Sequence, residues 1–415
     1  DLEALIAEHP DLADALREQF AALSRLHHAA THRDPPGRLR TVPRDRYGEF
    51  QPAGEGGMGL VYWALDTDLN REVAFKVIRP ASDGTTETPA APLELASPAK
   101  DTPASQAFET LKKRFLQEAW VTGGLSHPGI VPVYELGQTP EGVPYYTMRF
   151  IKGERTLATA IEEAKEASIE ERLRLLEPFL KVCDTLSYAH AKGVIHRDLK
   201  PDNIALGEFG EVVVIDWGLA KIQDRDDVAH ERWQDRIRAW REAKDLETVA
   251  AAIGTPGYMP PEAVKANPSW VGPRGDIYAL GVILFQILTG RMPIDFTSLT
   301  QYLAILLDEE PLRATDVSED VPGALSDLCA RCLSADTNER PQSADALAAA
   351  IRDWQTQSAV EREIDGLLQE ARVALDAAED LGGGAMLQQI DRATAALSQV
   401  RTRRPQSART DALQD

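Results

Sequence analysis

The chain has 415 residues, 43 % apolar and 27 % charged, which is the composition of a folded globular protein with length for two or three units. Its formal net charge of −21 argues against nucleic acid or an anionic membrane surface as the main partner, while leaving small anionic ligands open. Three cysteines, Cys183, Cys329 and Cys332, cannot build a disulfide framework and point to a reducing, cytoplasmic setting.

Over residues 1–30, Leu2, Leu5, Ile6, Leu12, Leu16, Phe20 and Leu23 recur at helical spacing, broken once by Pro10. "THRDPPGRLRTVPRD" then reads as a linker, so residues 1–45 are expected to be a helical extension and linker. From Tyr47 the pattern becomes strand-like through "LVYWAL" and "EVAFKVI". Residues 80–106 are rich in Pro, Ala, Thr and Ser and lack the apolar content to fold, which predicts a disordered insertion. A helix, "AFETLKKRFLQEAWVTGGL", follows, then short strands near 130–151.

Helices dominate from 156 to about 353, interrupted by paired strands around 203–215. The longest apolar run, "IYALGVILFQILTG", has 14 residues, too short to span a bilayer, and no secretory signal is visible. The chain begins at Asp1 rather than Met, so a longer protein with a membrane tether outside these residues is left open. In "LSDLCARCLSAD" no second cysteine pair or histidine accompanies Cys329 and Cys332. Their helical spacing with Leu325, Leu328 and Leu333 reads as buried core, not as a zinc or redox site. Residues 355–415 are predicted as a helical hairpin and tail. One stripe runs through Ile364, Leu367, Leu368, Ala371 and Leu375; "LGGG" turns the chain, and Leu387, Ile390, Thr394, Leu397 and Val400 form a second. Such a hairpin hides its apolar face poorly, so it either packs on the main domain or begins a helical array.

Four pieces of this chain carry chemistry. "GEGGMGLV" at 54–61 places Gly54, Gly56 and Gly59 between two strands, where glycine lets backbone approach an anion. A strand, not a helix, follows Val61, which disfavours a dinucleotide fold. Lys76 sits in an apolar strand, either as a snorkelling edge lysine or paired with an anion; Glu118 is its candidate partner. "GVIHRDLKPDNIAL" at 193–206 packs Asp198, Lys200 and Asn203 into a loop-like order in which an acid can orient or deprotonate a hydroxyl. "VVVIDWG" ends a buried strand on Asp216, whose carboxylate, with the amide oxygen of Asn203, offers hard ligands for magnesium.

In order, "GEGGMGLV", "VAFK", Glu118, "HRDLKPDN", "DWG", "GTPGYMPPE", "DIYALGVILFQILTG" and "NERPQSA" resemble the eukaryotic-like (Hanks-type) bacterial serine/threonine protein kinases over about Tyr47 to Trp354. The resemblance implies an α+β, bilobal kinase fold over residues 46–354, with a small β-rich N-lobe, a larger mainly helical C-lobe and helical extensions at both ends. It implies ATP and Mg2+ as cofactors and Ser/Thr-bearing proteins as substrates. Gly54, Glu55, Gly56, Gly57, Met58 and Gly59 would cover the phosphates. Lys76, paired with Glu118, would hold the α- and β-phosphates. Asp198 would accept the hydroxyl proton, Lys200 would steady the γ-phosphate, and Asn203 and Asp216 would bind metal. Main-chain groups of Arg149 and Ile151, after Met148, would read adenine, and Val61, Ala74 and Ala205 would sandwich its ring. Asp276 and Arg340, the latter with Glu262, would be scaffold.

Two departures from the family follow. Trp217 stands where phenylalanine is usual; a subgroup of bacterial kinases similar to "GEFGEVVVIDWGLAK" carries tryptophan there, so the site is read as competent, with Trp217 setting the position of the Glu118 helix and its N–H wanting a partner. Ala205 replaces a larger aliphatic residue and should leave a roomier adenine pocket. The long activation segment, Asp216 to Glu262, holds a charged stretch in which Trp233, Ile237 and Trp240 predict a short helix. Thr248 and Thr255 are the phosphosite candidates: Thr248 is favoured over an unmodified loop residue, while Thr255 resembles the residue lining the substrate site. Arg197 would grip a loop phosphate. The expected activity is Mg-ATP-dependent Ser/Thr phosphorylation with autophosphorylation, compatible with self-association in trans. The alternatives are a kinase-fold signalling scaffold without phosphoryl transfer, disfavoured by intact Lys76, Asp198, Asn203 and Asp216, and a small-molecule phosphotransferase, disfavoured by "GTPGYMPPE".

Overall fold

In the computed structural model, residues 39–56, 59–79, 92–95, 103–153, 155–222, 256–265, 272–296, 299–308, 311–379 and 383–403 are described. The β-branched and aromatic runs that follow Tyr47 pair into one sheet. Its strands are β1 (Arg40–Thr41), β2 (Tyr47–Gly56), β3 (Gly59–Asp66), β4 (Arg71–Ile78), β5 (Val133–Gln138) and β6 (Pro144–Arg149), in spatial order β1-β5-β6-β4-β3-β2. All neighbours are antiparallel except β1, which runs parallel to β5. Strand β1 falls inside the stretch read as linker, and Val42 beyond it is buried and donates its N–H to the Gln138 carbonyl at 3.0 Å. A two-residue strand is too short to leave a periodicity, and its apolar anchor is a single valine.

Helix α1 (Pro103–Gly123) lies against this sheet. Phe115 of the helix meets Tyr146 at 5.1 Å between ring centres, while Tyr47, Phe75 and Tyr145 pack on the opposite face of the sheet, with Phe75 stacked on Tyr145 at 4.5 Å. The helix starts at Pro103, inside the expected insertion. At Pro92–Glu94 a single 3-10 turn also places Leu93 and Leu95 against the same core. Residues 80–91 and 96–102 of that expectation lie outside the described residues.

The second, helical region holds α2 (Leu157–Glu163), α3 (Ile169–Leu173), α4 (Leu176–Ala191), α5 (Pro261–Lys265), α6 (Pro273–Thr289), α7 (Leu299–Asp308), α8 (Ala314–Val317), α9 (Gly323–Cys332) and the start of α10 (Ala344–Glu379). Helix α6 is buried almost throughout, as its continuous apolar run requires, and forms the axis of the core. Gly281 permits close packing on α9, since a Cβ there would meet the Cys332 side chain at 2.6 Å. Cys329 donates its thiol to the Gly281 carbonyl at 3.3 Å. Burial pushes the Cys332 thiol up to about 12 and raises those of Cys183 and Cys329 as well, so the three act as core residues. The chain is α+β, with a sheet-rich N-terminal lobe and a helical C-terminal lobe. After the short β7 (Val194–Ile195), a small hairpin of β8 (Ile204–Leu206) and β9 (Val212–Val214) underlies the cleft between them. Helix α10 runs without a break past residue 354, and α11 (Gly383–Arg403) folds back on it. No helix among the described residues is long and apolar enough to cross a membrane.

Candidate active site

The sheet supplies the upper wall of the cleft. Register pairs Val61 with Lys76, Lys76 with Tyr146 and Ala74 with Met148, so residues distant in sequence share one patch of sheet. Lys76 is buried, and its Nζ lies 2.6 Å from Oε1 of Glu118 on α1. The same Glu118 oxygen accepts the Tyr146 hydroxyl at 2.9 Å. Burial acts to lower the Lys76 value, but the negative charge of Glu118, with Tyr146 and Asp216, overrides it and holds the ammonium well above its ordinary range. Burial and Glu118 likewise raise the Tyr146 phenol, which stays a donor. Lys76 is therefore a permanent buried cation, and the snorkelling alternative does not describe it.

Gly54, Glu55 and Gly56 end β2, and Gly59 starts β3; Gly57 and Met58, at the tip between them, lie outside the described residues. A Cβ on Gly54 would meet nothing within 4 Å, so that backbone is open to approach. Gly59 differs: a Cβ there would sit 2.3 Å from the Val77 carbonyl, so strand packing requires glycine at that position. Met148 and Arg149 end β6 and, like Ile151 beyond them, are half-buried. The Arg149 N–H is already engaged by the Pro132 carbonyl at 3.2 Å. Ala74 and Ala205 are buried, one on each lobe.

The lower wall is a loop held by its own backbone. Asp276, on α6, accepts the N–H of His196 and of Arg197, both at 2.9 Å, and faces His190 Nε2 at 2.8 Å. Burial works to raise its carboxyl, but the His190 contact and these donors win and hold it below the usual carboxylate value. Arg197 sits at φ 66 and Asp216 at φ 61, left-handed backbone that non-glycine residues adopt only where surrounding contacts impose it. Asn203 donates its side-chain amide to the Asp198 main-chain carbonyl at 2.8 Å, and its main-chain carbonyl accepts the Ile215 N–H at 2.9 Å. The second bond ties the Asp198–Asn203 loop directly to the approach of Asp216. Lys200 precedes the turn Pro201–Asn203.

Trp217 is buried, and its indole N–H donates to the Val214 carbonyl at 3.2 Å while its ring stands edge-on to His196 at 4.7 Å. The polar edge of the tryptophan is thus satisfied locally. Arg340 is buried, bidentate on Glu262 at 2.8 and 2.9 Å, and also bonds Ser334 and Arg274 main chain. Thr248 and Thr255, the helix expected around Trp233, Ile237 and Trp240, and the first 38 residues lie outside the described residues.

Sequence reasoning missed Tyr146 and His190, which hold Glu118 and Asp276 in place. Tyr146 looked like any aromatic strand residue in "PYYTMR", and His190 like the polar face of a helix, so neither carried a signal of its own.

The fold and this site define a protein kinase: the protein kinase domain family matches residues 47–351, and the chain belongs to that family. It is similar to the serine/threonine-protein kinase PknD of Protochlamydia amoebophila, 34 % identical over 330 residues covering 75 % of this chain and 30 % of that protein. The PknD proteins of Chlamydia caviae (35 % over 323 residues, 74 % and 31 % covered) and Chlamydia muridarum (34 % over 321 residues, 74 % and 31 %) are similar too. The chain spans about 30 % of the length of these relatives.

Proposed function

We propose that this chain transfers the γ-phosphate of ATP, with magnesium, to serine and threonine hydroxyls of proteins, itself included. The observation that carries the reading is the buried Lys76–Glu118 pair on the sheet, together with the Asn203 main-chain bond that ties the Asp198 loop to the approach of Asp216. A fixed cation on one wall and a positioned carboxylate on the other are what a metal-bridged polyphosphate needs at its two sides.

The donor set suits the metal. Asn203 uses its amide N–H₂ on the Asp198 carbonyl, which leaves the side-chain oxygen as the ligand atom, and Asp216 is half-exposed two residues beyond β9. One carboxylate and one amide oxygen, with phosphate oxygens and water completing the shell, is an ordinary magnesium arrangement. Bound there, the ion would offset charge developing on the phosphate oxygens. Lys76 would bind the α- and β-phosphates, held in line by Glu118 and Tyr146. Asp198 would orient the acceptor hydroxyl and take its proton at the carboxylate. Lys200 would steady the transferred group, and Met148, Arg149, Ile151, Val61, Ala74 and Ala205 would frame adenine. Trp217, pinned by Val214 and His196, would set the position of the Glu118 helix. Thr248 is the proposed activation-segment phosphosite, with Arg197 as its reader. The kinase domain is taken as residues 46–354, flanked by helical extensions, working in the cytoplasm; three buried free cysteines support a reducing setting.

Incubation with labelled ATP and magnesium, followed by phosphoamino-acid analysis and mass spectrometry, tests this reading. Label on serine and threonine, abolished by chelation and mapping in part between Asp216 and Glu262, is expected. ATP binding with no label on any protein acceptor, from either dephosphorylated or phosphorylated enzyme, would instead select the scaffold.

A further inference from the structure

The helical hairpin beyond the kinase fold turns Ile364 and Leu367 inward while four other leucines stay exposed. Its seam is alanine: Ala371, Ala374, Ala393 and Ala396 are buried against one another, with Leu367 beside them. Leu368 is 40 % exposed, Leu375 46 %, Leu387 63 % and Leu397 46 %. Alanine seams bring helices close but bury little apolar area, so a two-helix unit meant to stand alone would place its leucines inside. Here the larger side chains wait for a further layer.

Helix geometry places those leucines on one face. Leu368 and Leu375 each lie one position after a seam residue of α10 (Leu367, Ala374), a rotation of about 100°. Thr394 and Leu397 stand in the same relation to Ala393 and Ala396 of α11, and Leu387 and Ile390 continue that stripe. In antiparallel helices, equal rotations from the shared seam turn toward the same side. On the opposite side Glu370 and Arg392, each one position before a seam alanine, form an ion pair at 2.9 Å, with exposed Val373 beside them. The hairpin is therefore a two-helix slab whose leucine-bearing face also holds exposed Arg372, between Leu368 and Leu375, and exposed Glu361 and Asp365 toward its open end.

Charge selects what covers the leucine-bearing face. The α10 arm, residues 355–379, is acidic, with Glu361, Glu363, Asp365, Glu370, Asp376 and Glu379 against Arg362 and Arg372. The α11 arm is basic, with Arg392, Arg401 and Arg403 against Asp391. Arg403 already pairs with Glu363 at 2.7 Å, which shows that the basic end of α11 stands level with the start of the acidic arm. A second copy related by a twofold axis along the hairpin keeps those levels. It sets each acidic α10 against the partner's basic α11, brings exposed Glu361 and Asp365 to the exposed Arg401 of the other chain, and makes every neighbour antiparallel. A twofold across the hairpin would instead set the Glu361 and Arg401 end against the turn. We propose that the hairpin is a homodimerisation module, pairing two copies of this chain through Leu368, Leu375, Leu387 and Leu397 into an antiparallel four-helix bundle.

The geometry carries a consequence for the rest of the molecule. Both α10 helices enter such a bundle from the same end, so both kinase folds lie on that end. Each is rigidly attached, because α10 is continuous from Ala344, buried in the helical core, and is clamped by Arg352 to Asp184 at 2.7 Å. The inference stands on the hairpin surface alone and does not depend on the enzymatic reading.

Sedimentation velocity on the full chain tests it, since mass is read independently of activity. The wild type is expected to sediment as a species of twice the 45.6 kDa chain mass, dissociating on dilution. Leu375→Glu combined with Leu397→Glu should give monomer with unchanged helicity and unchanged ATP affinity. Val373→Glu, an equally exposed substitution on the opposite face, should leave the dimer intact. Arg401→Glu should weaken association, and Asp365→Arg added to it should restore it. A wild type of 45.6 kDa at every concentration, with or without residues 1–38, overturns the proposal, as does a dimer indifferent to the leucine pair. A monomer whose leucine-bearing face is covered by residues 1–38, read as hydrogen-exchange protection lost on their removal, overturns it as well.

Discussion

The two walls of the cleft position their chemistry by different means. On the sheet side, three side chains from separate elements, Lys76, Glu118 and Tyr146, hold one another through a single carboxylate oxygen. On the helical side, Asp198, Asn203 and Asp216 are aimed by main-chain bonds, two of them ending on Asp276, and by left-handed backbone at Arg197 and Asp216. The first wall depends on charge balance between side chains that could each be removed. The second depends on chain path, and single side chains there can change with the loop still in place.

Breaking the upper pair gives the largest expected effect on stability. Lys76→Met leaves Glu118 buried without its cation and should cost about 3–5 kcal/mol in urea unfolding. Adding Glu118→Leu should recover most of that loss without recovering phosphoryl transfer. A double variant as unstable as the single one would show that the pair is not the anchor of this wall.

Asp276→Asn probes the lower wall and should cost about 1–3 kcal/mol, because two backbone donors lose a charged acceptor. The sign of its pH dependence follows from the direction of the shift. Asp276 has a folded-state value below the ordinary carboxylate value of 3.8, so its contribution is in force above that value and is lost as pH falls through the lower, folded one. The variant should therefore show a shallower decline of stability on the acid side, followed by circular dichroism; an unchanged slope would remove Asp276 from the account.

Trp217→Phe sharpens the contrast from the other direction. Most of the apolar volume stays, but the smaller ring leaves a small cavity and the N–H bond to Val214 goes, at about 1–3 kcal/mol, with transfer rates within a few-fold of wild type. A large loss of activity would mean that the indole does more than fill and aim.

What the sequence disclosed follows this same division. The lower wall was legible because its residues are contiguous and chemically unusual: no ordinary loop orders His196, Arg197, Asp198, Lys200 and Asn203 in that way. Of the partners that hold them, Asp276 was legible only through the family resemblance, as scaffold, and His190 not at all, since the two come from separate helices whose meeting depends on tertiary packing. On the upper wall Lys76 and Glu118 stood out as charges in apolar surroundings, while Tyr146, the third member, has the amino-acid type of any strand. The hairpin shows a different limit. Its stripe of Ile364, Leu367, Leu368, Ala371 and Leu375 merges two adjacent faces, because periodicity weights leucine over alanine and cannot tell seam from surface. Strand β1 left no trace, having only two residues.

Binding and chemistry can be separated at Asp198. Single-turnover transfer of label and calorimetric ATP affinity, both with magnesium, would be measured on wild type and Asp198→Asn. The account predicts unchanged affinity, because the phosphates are held by Lys76 and the metal pair, with transfer slowed by about 10²–10⁴-fold. Transfer at the wild-type rate in the variant would contradict the assignment of Asp198 as the group that receives the hydroxyl proton.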